Sequence, residues 1–522
     1  MNAKAAARVS AWLARADGIL GKHRGGKPFY RARTGRESAC RTPLPLPIHG
    51  PTMLRYRTAL APRGRRLALI PLLVAALAGG MGACAPLGVA AGYASHILCS
   101  ETFVSGLPPE QIYAESVAPQ PSIRLVRWAL RYQVDRPRRE VRVTIAGAFE
   151  SRSVYREGLG CLTVHGQLPA EAPPSLPENR PGAAVLPVIA GPSVVEPRNE
   201  LLRRAVDRAF GEPERPPHRW TKAVVIVKDG RVVAERYAPG YGVETPLLGW
   251  SASKSVVNAL IGVLVQQGRI SLYASAPVAA WRASGNPRGA ITIDELLRQT
   301  SGLDLAAATS AFDPSVRMLF LERDMAGFAE RARLKTPPGV VWSYTDGNYQ
   351  ILSRILRDAA GGGAVDVLRF ARRELFAPLG MHGVTLEFDA TGTPVGAAFL
   401  LAPARDWARF GMLYLDDGVV GGHRILPAGW VSYASSRTLD SPYAAGFWLG
   451  RRDWRARWRL PEDCFFASGA LGQRIVIVPS ERLVIVRFGV TQMWPDFDPE
   501  GFGQLIADVR TALPSARQSP DP

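Results

Sequence analysis

Cysteine is scarce in this sequence, with five residues in 522. That density excludes a disulfide-dense scaffold, and without a C-x-x-C pair there is no zinc-knuckle or thioredoxin-type spacing. No H-E-x-x-H occurs and the seven histidines are scattered, so nothing supports a metal centre and no cofactor is expected. His382 and His423 read as surface residues rather than bases. The absence of G-x-S-x-G argues against the nucleophile elbow of an α/β-hydrolase. Lysine is rare too: seven of the 64 cationic side chains, the other 57 being arginine. The bulk composition is ordinary. At 47% hydrophobic and 21% charged, the chain is neither wholly disordered nor collagen-like, and its length suits one large domain plus appendages.

The net charge of +19 is unevenly placed. Residues 1–66 hold 15 Lys/Arg against Asp17 and Glu37, a net +13, while the remaining 456 residues hold 49 against 43, a net +6. The basicity therefore belongs to an N-terminal arm, expected to be disordered, and no nucleic-acid partner is expected. Residues 67–95 follow without a charge, a run of 29 interrupted by Pro71, Pro86 and five glycines. About 20 apolar residues span a bilayer, and the Arg-rich flank would keep the N-terminus in the cytoplasm. Three expectations stay open: a retained transmembrane anchor, a cleaved signal peptide, and lipidation at Cys84 in a loosely lipobox-like Met81-Gly82-Ala83-Cys84. All three export residues 101–522 to the periplasmic or extracytoplasmic face of a bacterial inner membrane, anchored or released. From Met53 the chain reads as an ordinary export signal, so Met53 is the expected true start.

Export permits disulfides. Cys99 and Cys161 flank a small region, 96–165, that holds the strand-like run 141–148, and they are a candidate bridge; Cys464 is left over. Residues 166–198 are Pro-rich and aperiodic, as a linker would be. From 199 to 512 the pattern is α+β, and 513–522 reads as a disordered tail. The runs 223–228 and 232–237 surround Asp229-Gly230, a hairpin signal. Helical patterns occupy roughly 251–267, 293–300, 347–359, 364–376 and 403–416, before strands at 474–478 and 483–488 and a last helix near 501–512. Strands at both ends with helices between predict one antiparallel sheet built from the two ends, flanked by helices and an all-helical subdomain.

Ser251-Ala252-Ser253-Lys254 opens the first of these helices. Residues i and i+3 on a helix lie about 5–6 Å apart at Cβ, so Lys254 can reach the Ser251 hydroxyl. An uncharged amine can serve as the base that a serine nucleophile needs. Of the seven lysines, only Lys254 has serine three positions earlier, and Ser253 and Ser255 have no lysine three positions on. Arginine cannot shed its proton, so a lysine in so Arg-dominated a chain fits proton transfer. The plainer alternative is a capping serine beside a solvated lysine.

The stretch Gly249-Trp250-Ser251-Ala252-Ser253-Lys254-Ser255 resembles the serine helix of the β-lactamase-related serine hydrolases. That superfamily holds class C β-lactamases, D-alanyl-D-alanine peptidases, family VIII esterases and 6-aminohexanoate-oligomer hydrolases. Further segments agree in order: Leu296-Leu297, Thr300-Ser301-Gly302-Leu303, Pro338-Gly339, Phe376 with Pro378-Leu379-Gly380-Met381, Ala404-Arg405-Asp406, and Ile425-Leu426-Pro427 with Trp430. The resemblance covers about 199–512 and is nearest the 6-aminohexanoate-hydrolase branch. It implies that Tyr344, in Tyr344-Thr345-Asp346 where the family has Tyr-x-Asn, shares a proton with Lys254 and returns it to the leaving group. Asp346 departs from the usual Asn or Ser; a carboxylate there favours a charged lysine and shifts weight to Tyr344. The family's third motif, Lys-Thr-Gly or His-x-Gly, is matched by Ala467-Ser468-Gly469. By the same resemblance the backbone N–H groups of Ser251 and Ala470 form the oxyanion hole, and Ala467 lacks the cation used near a substrate carboxylate.

The expectation is an exported serine hydrolase that cleaves a small amide or ester through a Ser251 acyl-enzyme, with its oligomeric state open. A true β-lactamase or D-alanyl-D-alanine peptidase is the rival within the enzymes. A catalytically silent binder of peptide or cell-wall fragments is the rival outside them. Trp448, Trp454 and Trp458, in or beside the Arg-rich stretch 451–459, read either as a loop over the site or as a solvated turn.

Overall fold

The run from Thr221 to Lys228 is apolar on both faces, and in the computed structural model it is the fourth strand of a five-stranded sheet covered on both sides. The structure describes residues 69–168, 184–215, 218–305, 313–491 and 498–514. In chain order the labelled elements are helix α1 (Leu69–Phe103), strands β1 (Leu130–Asp135), β2 (Glu140–Ile145), β3 (Phe149–Arg156) and β4 (Gly160–Thr163), and helix α2 (Glu200–Phe210). Strands β5 (Thr221–Lys228) and β6 (Arg231–Tyr237) and helices α3 (Ser253–Gln266), α4 (Asp346–Ala360) and α5 (Ala404–Met412) follow. Strands β7 (Phe465–Gly469), β8 (Gln473–Val478) and β9 (Leu483–Gly489) and helix α6 (Pro499–Ala512) close the chain.

The main sheet has the order β7-β8-β9-β5-β6, every pair antiparallel. Its two halves come from opposite ends of the α+β segment. Alternation along each strand splits its side chains between two cores. Val224, Ile226, Val476 and Ile485 meet α2 and α6 on one face. Val225, Val227, Ile475 and Val486 face α5 and the larger core on the other. The helical middle holds α3 and α4, with Pro314–Leu321, Met325–Glu330 and Ala364–Ala371 around them.

The region before this segment is larger than its one apolar run suggests. Strands β1 to β4 form a second, four-stranded antiparallel meander. Helix α1 packs on it, and the Cys99–Cys161 disulfide joins α1 to β4. From Leu69 onward the chain forms one compact unit. The retained-anchor reading of residues 67–95 is corrected here: among the described residues no helix is long and apolar enough to cross a membrane. Physically, the end of that run is already used, since Val89, Ala91 and Ala94 of α1 are at most 2% exposed inside the protein core. Buried Glu387 ties the pieces together, accepting hydrogen bonds from Ser100 Oγ (2.8 Å) and the Cys161 N–H (2.8 Å) and pairing with His96 Nε2 (2.8 Å). Residues 1–66 with Met53, the Cys84 side chain, 169–183 and the tail from 515 lie outside the described residues. The described part of the Pro-rich stretch runs along β6, where Ile189 is buried and its carbonyl accepts from the Val232 N–H (2.9 Å).

Candidate active site

Helix α3 is buried from Ser253 to Leu264, so its position is fixed by everything around it. Polar anchors set its rotation: Ser255 Oγ donates to Gly446 O (2.6 Å), Asn258 Nδ2 donates to Ala445 O (2.8 Å), and Trp430 Nε1 donates to Asn258 Oδ1 (3.0 Å). A 3₁₀ turn, Trp250–Ala252, leads into the helix and carries Ser251. Trp250 adopts φ 49°, a left-handed conformation that side chains with a Cβ disfavour by about 1–2 kcal/mol. It is held by packing between Tyr93 of α1 (ring centroids 6.1 Å, interplanar 11°) and Phe399 (5.9 Å).

Lys254, 1% exposed, donates to Ser251 Oγ at 2.9 Å, to Asp346 Oδ1 at 2.6 Å and to the Ala397 carbonyl at 2.7 Å. An ammonium has three N–H donors, and all three are used. Burial opposes its charge, but Asp346 and then Tyr344 outweigh that penalty and hold the amine above the ordinary lysine value. The lysine is therefore mainly a cation at neutral pH, donating to the serine oxygen, and the neutral amine that can take the serine proton is its minor form. The Tyr344 ring lies beside it, its centroid 5.1 Å from Nζ.

Asp346 is the first residue of α4, where the helix dipole favours a carboxylate. The segment is set by the Thr300-Ser301-Gly302-Leu303 motif and its neighbour Gln299. Gln299 Nε2 donates to Thr345 O (2.9 Å), its Oε1 accepts from Asn348 Nδ2 (2.8 Å), and Ser301 Oγ donates to Asn348 Oδ1 (2.8 Å). The motif is thus the mount on which Tyr344 and Asp346 are presented to Lys254. Tyr344 packs against Trp448 (5.2 Å) and Tyr443 (5.6 Å), which with Trp342 form an aromatic wall beside the lysine.

The third motif, Ala467-Ser468-Gly469, ends β7. A Cβ on Gly469 would lie 2.0 Å from the Gly249 carbonyl, and one on Gly249 would lie 2.4 Å from the Trp407 ring. Gly469 lets β7 meet the serine turn backbone to backbone, directly before Ala470, and Gly249 lets the Trp407 ring pack against that turn. Ala467 is fully buried and Ser468 is half-buried. Four arginines of the Arg-rich stretch are engaged away from Ser251. Arg451 pairs with Asp453, Arg452 with Asp440 and Arg457 with Glu500, while Arg455 donates to the carbonyls of residues 449, 461, 462 and 464. Trp454 stacks on Phe502 on the far face of the sheet, so of the three tryptophans only Trp448 borders the site. His382 and His423 are exposed. Cys464 is buried, which pushes its thiol up to about 12 and leaves it inert at neutral pH.

Some of these groups have no signal in a single sequence. The Ala397 carbonyl is backbone, and residue type says nothing of it. Gly249 and Trp448 could be flagged only by their closeness to motifs.

A family model described as β-lactamase matches residues 214–502, more than half of the chain. The chain belongs to the β-lactamase family. Over 322 residues this β-lactamase-family hydrolase is 26% identical to the 6-aminohexanoate-dimer hydrolase of Paenarthrobacter ureafaciens, a match covering 56% of this chain and 79% of that protein. Among solved structures it is similar to a candidate 6-aminohexanoate-dimer hydrolase from Bacillus anthracis, with 25% identity, 57% of this chain and 81% of that one covered, and a TM-score of 0.48. A penicillin-binding protein homologue from Caulobacter crescentus matches with 18% identity, coverages of 62% and 99%, and a TM-score of 0.48. The family match begins after the four-stranded meander and helix α1, so Tyr93 reaches the serine turn from outside the matched residues.

The pairing of Lys254 with Asp346 gives this family member a testable pH signature. Asp346→Asn removes the anion that holds the lysine high, while the burial that lowers it remains. The neutral amine is then populated at lower pH, and the ascending limb of kcat/KM is expected to move to lower pH. Titration of kcat/KM from pH 5 to 10 reads this directly; superimposable profiles for the two proteins would contradict it.

Proposed function

We propose that this chain is an exported amidase or esterase that acylates Ser251 and hands the acyl group to water. The observation that carries the reading is the Lys254 ammonium hydrogen-bonded to Ser251 Oγ (2.9 Å) while clamped by Asp346 and Ala397 O. From the form in which Lys254 is neutral, Ser251 Oγ attacks the substrate carbonyl carbon and its proton goes to the Lys254 amine, whose charge Asp346 then balances. The oxyanion forms against the Ser251 and Ala470 N–H groups; loss of one such donor typically costs about 10²–10³ in rate. Tyr344 gives its hydroxyl proton to the departing amine or alcohol and takes one back from Lys254, the C–N or C–O bond breaks, and water repeats the sequence on the ester left at Ser251, releasing the acid and restoring the serine hydroxyl. The Cys99–Cys161 disulfide supports export, because such bonds persist in oxidising compartments.

Ala467 sets the substrate preference in this reading. Penicillins and cephalosporins carry a carboxylate, and position 467 offers it no cation, only the neutral Ser468 hydroxyl beside it. Hydrogen bonds to charged groups are worth about 1.5–3 kcal/mol, so the loss is roughly one to two orders of magnitude in rate or affinity. Linear amides of the aminohexanoate type and short-chain esters are expected to be turned over better than β-lactams, with the aromatic wall of Trp448 and Tyr443 beside the acyl chain. The test is kcat/KM for a p-nitrophenyl ester against a chromogenic cephalosporin on one preparation. A clear preference for the cephalosporin would favour the β-lactamase or peptidase reading instead.

A further inference from the structure

The turn from Gly469 to Gln473 carries Ala470, the second proposed oxyanion donor, and it is not a relaxed turn. Leu471 inside it is left-handed at φ 60°, ψ 20°, a conformation that a residue with a Cβ holds only under constraint. The constraint comes through its carbonyls. Arg474 Nη1 donates to Gly469 O at 2.8 Å and to Gln473 O at 2.6 Å. Arg487 Nη1 donates to Gly472 O at 2.9 Å and to Thr491 Oγ1 at 3.0 Å, and the Thr491 N–H donates to Leu471 O at 3.0 Å. The Gln473 side chain exchanges two further hydrogen bonds with the Gly489 backbone, at 2.7 and 3.0 Å. Four of the five carbonyls in the turn are thus anchored from β8, from β9 or from just beyond it.

Both arginines are buried, Arg474 at 1% exposure and Arg487 at 9%. Burial pushes Arg487 down to about 10, and burial together with Arg487 pushes Arg474 well below the usual value. Taking two cations out of water is costly, and apolar side chains of similar size would fill the space more cheaply. Apolar groups could not hold the carbonyls, whereas the planar fork of a guanidinium presents donors in fixed directions. The Arg474 guanidinium lies 5.4 Å from the Phe502 ring on the side of α6, and Tyr344 is near enough to favour its charge.

We infer that Arg474 and Arg487 are positioning residues, which fix the turn so that the Ala470 N–H stays aimed at the tetrahedral intermediate. The inference rests on the acyl-enzyme reading of Ser251. Because the turn meets charge that develops only in the transition state, its loosening lowers kcat and leaves KM nearly alone.

The experiment measures kcat, KM and affinity for a simple arylboronic acid, which forms a tetrahedral adduct on serine, in Arg474→Lys, Arg474→Met, Arg487→Lys and Arg487→Met. Circular dichroism and thermal melting check folding. The Met variants are expected to lose about 10- to 100-fold in kcat with KM within about threefold, and boronate affinity falls in parallel with kcat. The Lys variants recover part of both. Wild-type kcat in folded variants, or a change confined to KM, overturns the inference. Should the Met variants fail to fold, the Lys variants decide by the same criteria. If wild-type protein itself forms no adduct at Ser251, the acyl-enzyme reading fails and takes this inference with it; if Ser251 reacts normally and the arginine variants keep wild-type kcat, only the inference fails.

Discussion

Ser251→Ala is expected to lower kcat by on the order of 10³–10⁶ while the protein melts at nearly the wild-type temperature. The size follows from non-additivity: removing one member of a nucleophile–base unit forfeits almost the whole of that unit's contribution, and only binding and oxyanion stabilisation remain. The small effect on stability follows from the surroundings. Ser251 is half-buried, at the start of α3, and contributes one acceptor to Lys254, which keeps Asp346 and the Ala397 carbonyl. Initial rates on a p-nitrophenyl ester together with a thermal melt measure both halves. Retained turnover in folded Ser251→Ala would remove the nucleophile assignment.

Substitution of Lys254 is the second large effect, and its two versions separate charge from proton transfer. Lys254→Arg keeps a cation beside Asp346 but cannot give up its proton, and a planar guanidinium does not fit a site whose three acceptors surround a point donor. A loss of about 10²–10⁴ in kcat is expected, the usual range for general acid–base catalysis. Lys254→Met instead leaves the buried Asp346 carboxylate without its cation, and breaking a buried pair from one side costs about 3–5 kcal/mol. Adding Asp346→Asn to Lys254→Met is expected to restore most of the stability and none of the activity. Denaturant titration and kcat on the four proteins check it; a double variant as unstable as Lys254→Met would mean that the pair is not what holds the site together.

Much of this arrangement is legible in the residues themselves. Near-continuous apolar runs such as Val-Val-Ile-Val at 224–227 announce strands buried on both faces, and they fall in the main sheet. The spacing of Ser251 and Lys254 becomes a 2.9 Å hydrogen bond because both lie where a 3₁₀ turn passes into α3. The departure at Asp346 is legible as chemistry, since a carboxylate next to the motif lysine has few other uses. Strands β1 and β3 are harder to see. Most of their side chains are exposed or half-buried, with Leu130 and Ser153 the exceptions, so Leu-Arg-Tyr-Gln-Val-Asp and Phe-Glu-Ser-Arg-Ser-Val-Tyr-Arg show no apolar run. The apolar stretch before Cys99 misleads for the opposite reason. A helix whose end is buried in protein and a helix crossing lipid have the same composition, and only the neighbours of Val89, Ala91 and Ala94 tell them apart. Arg474 and Arg487 stand among 57 arginines, and nothing local marks them as carbonyl anchors.

The central claim is that Ser251 is a nucleophile activated by Lys254, and covalent labelling tests it most directly. Wild-type protein, Ser251→Ala and Lys254→Arg are treated with a fluorophosphonate at neutral pH, and the adduct is located by mass spectrometry of peptides. A single adduct on Ser251, absent from Ser251→Ala and formed at least about tenfold more slowly in Lys254→Arg, is the predicted result. An adduct on another serine, or none on folded wild-type protein, would contradict it.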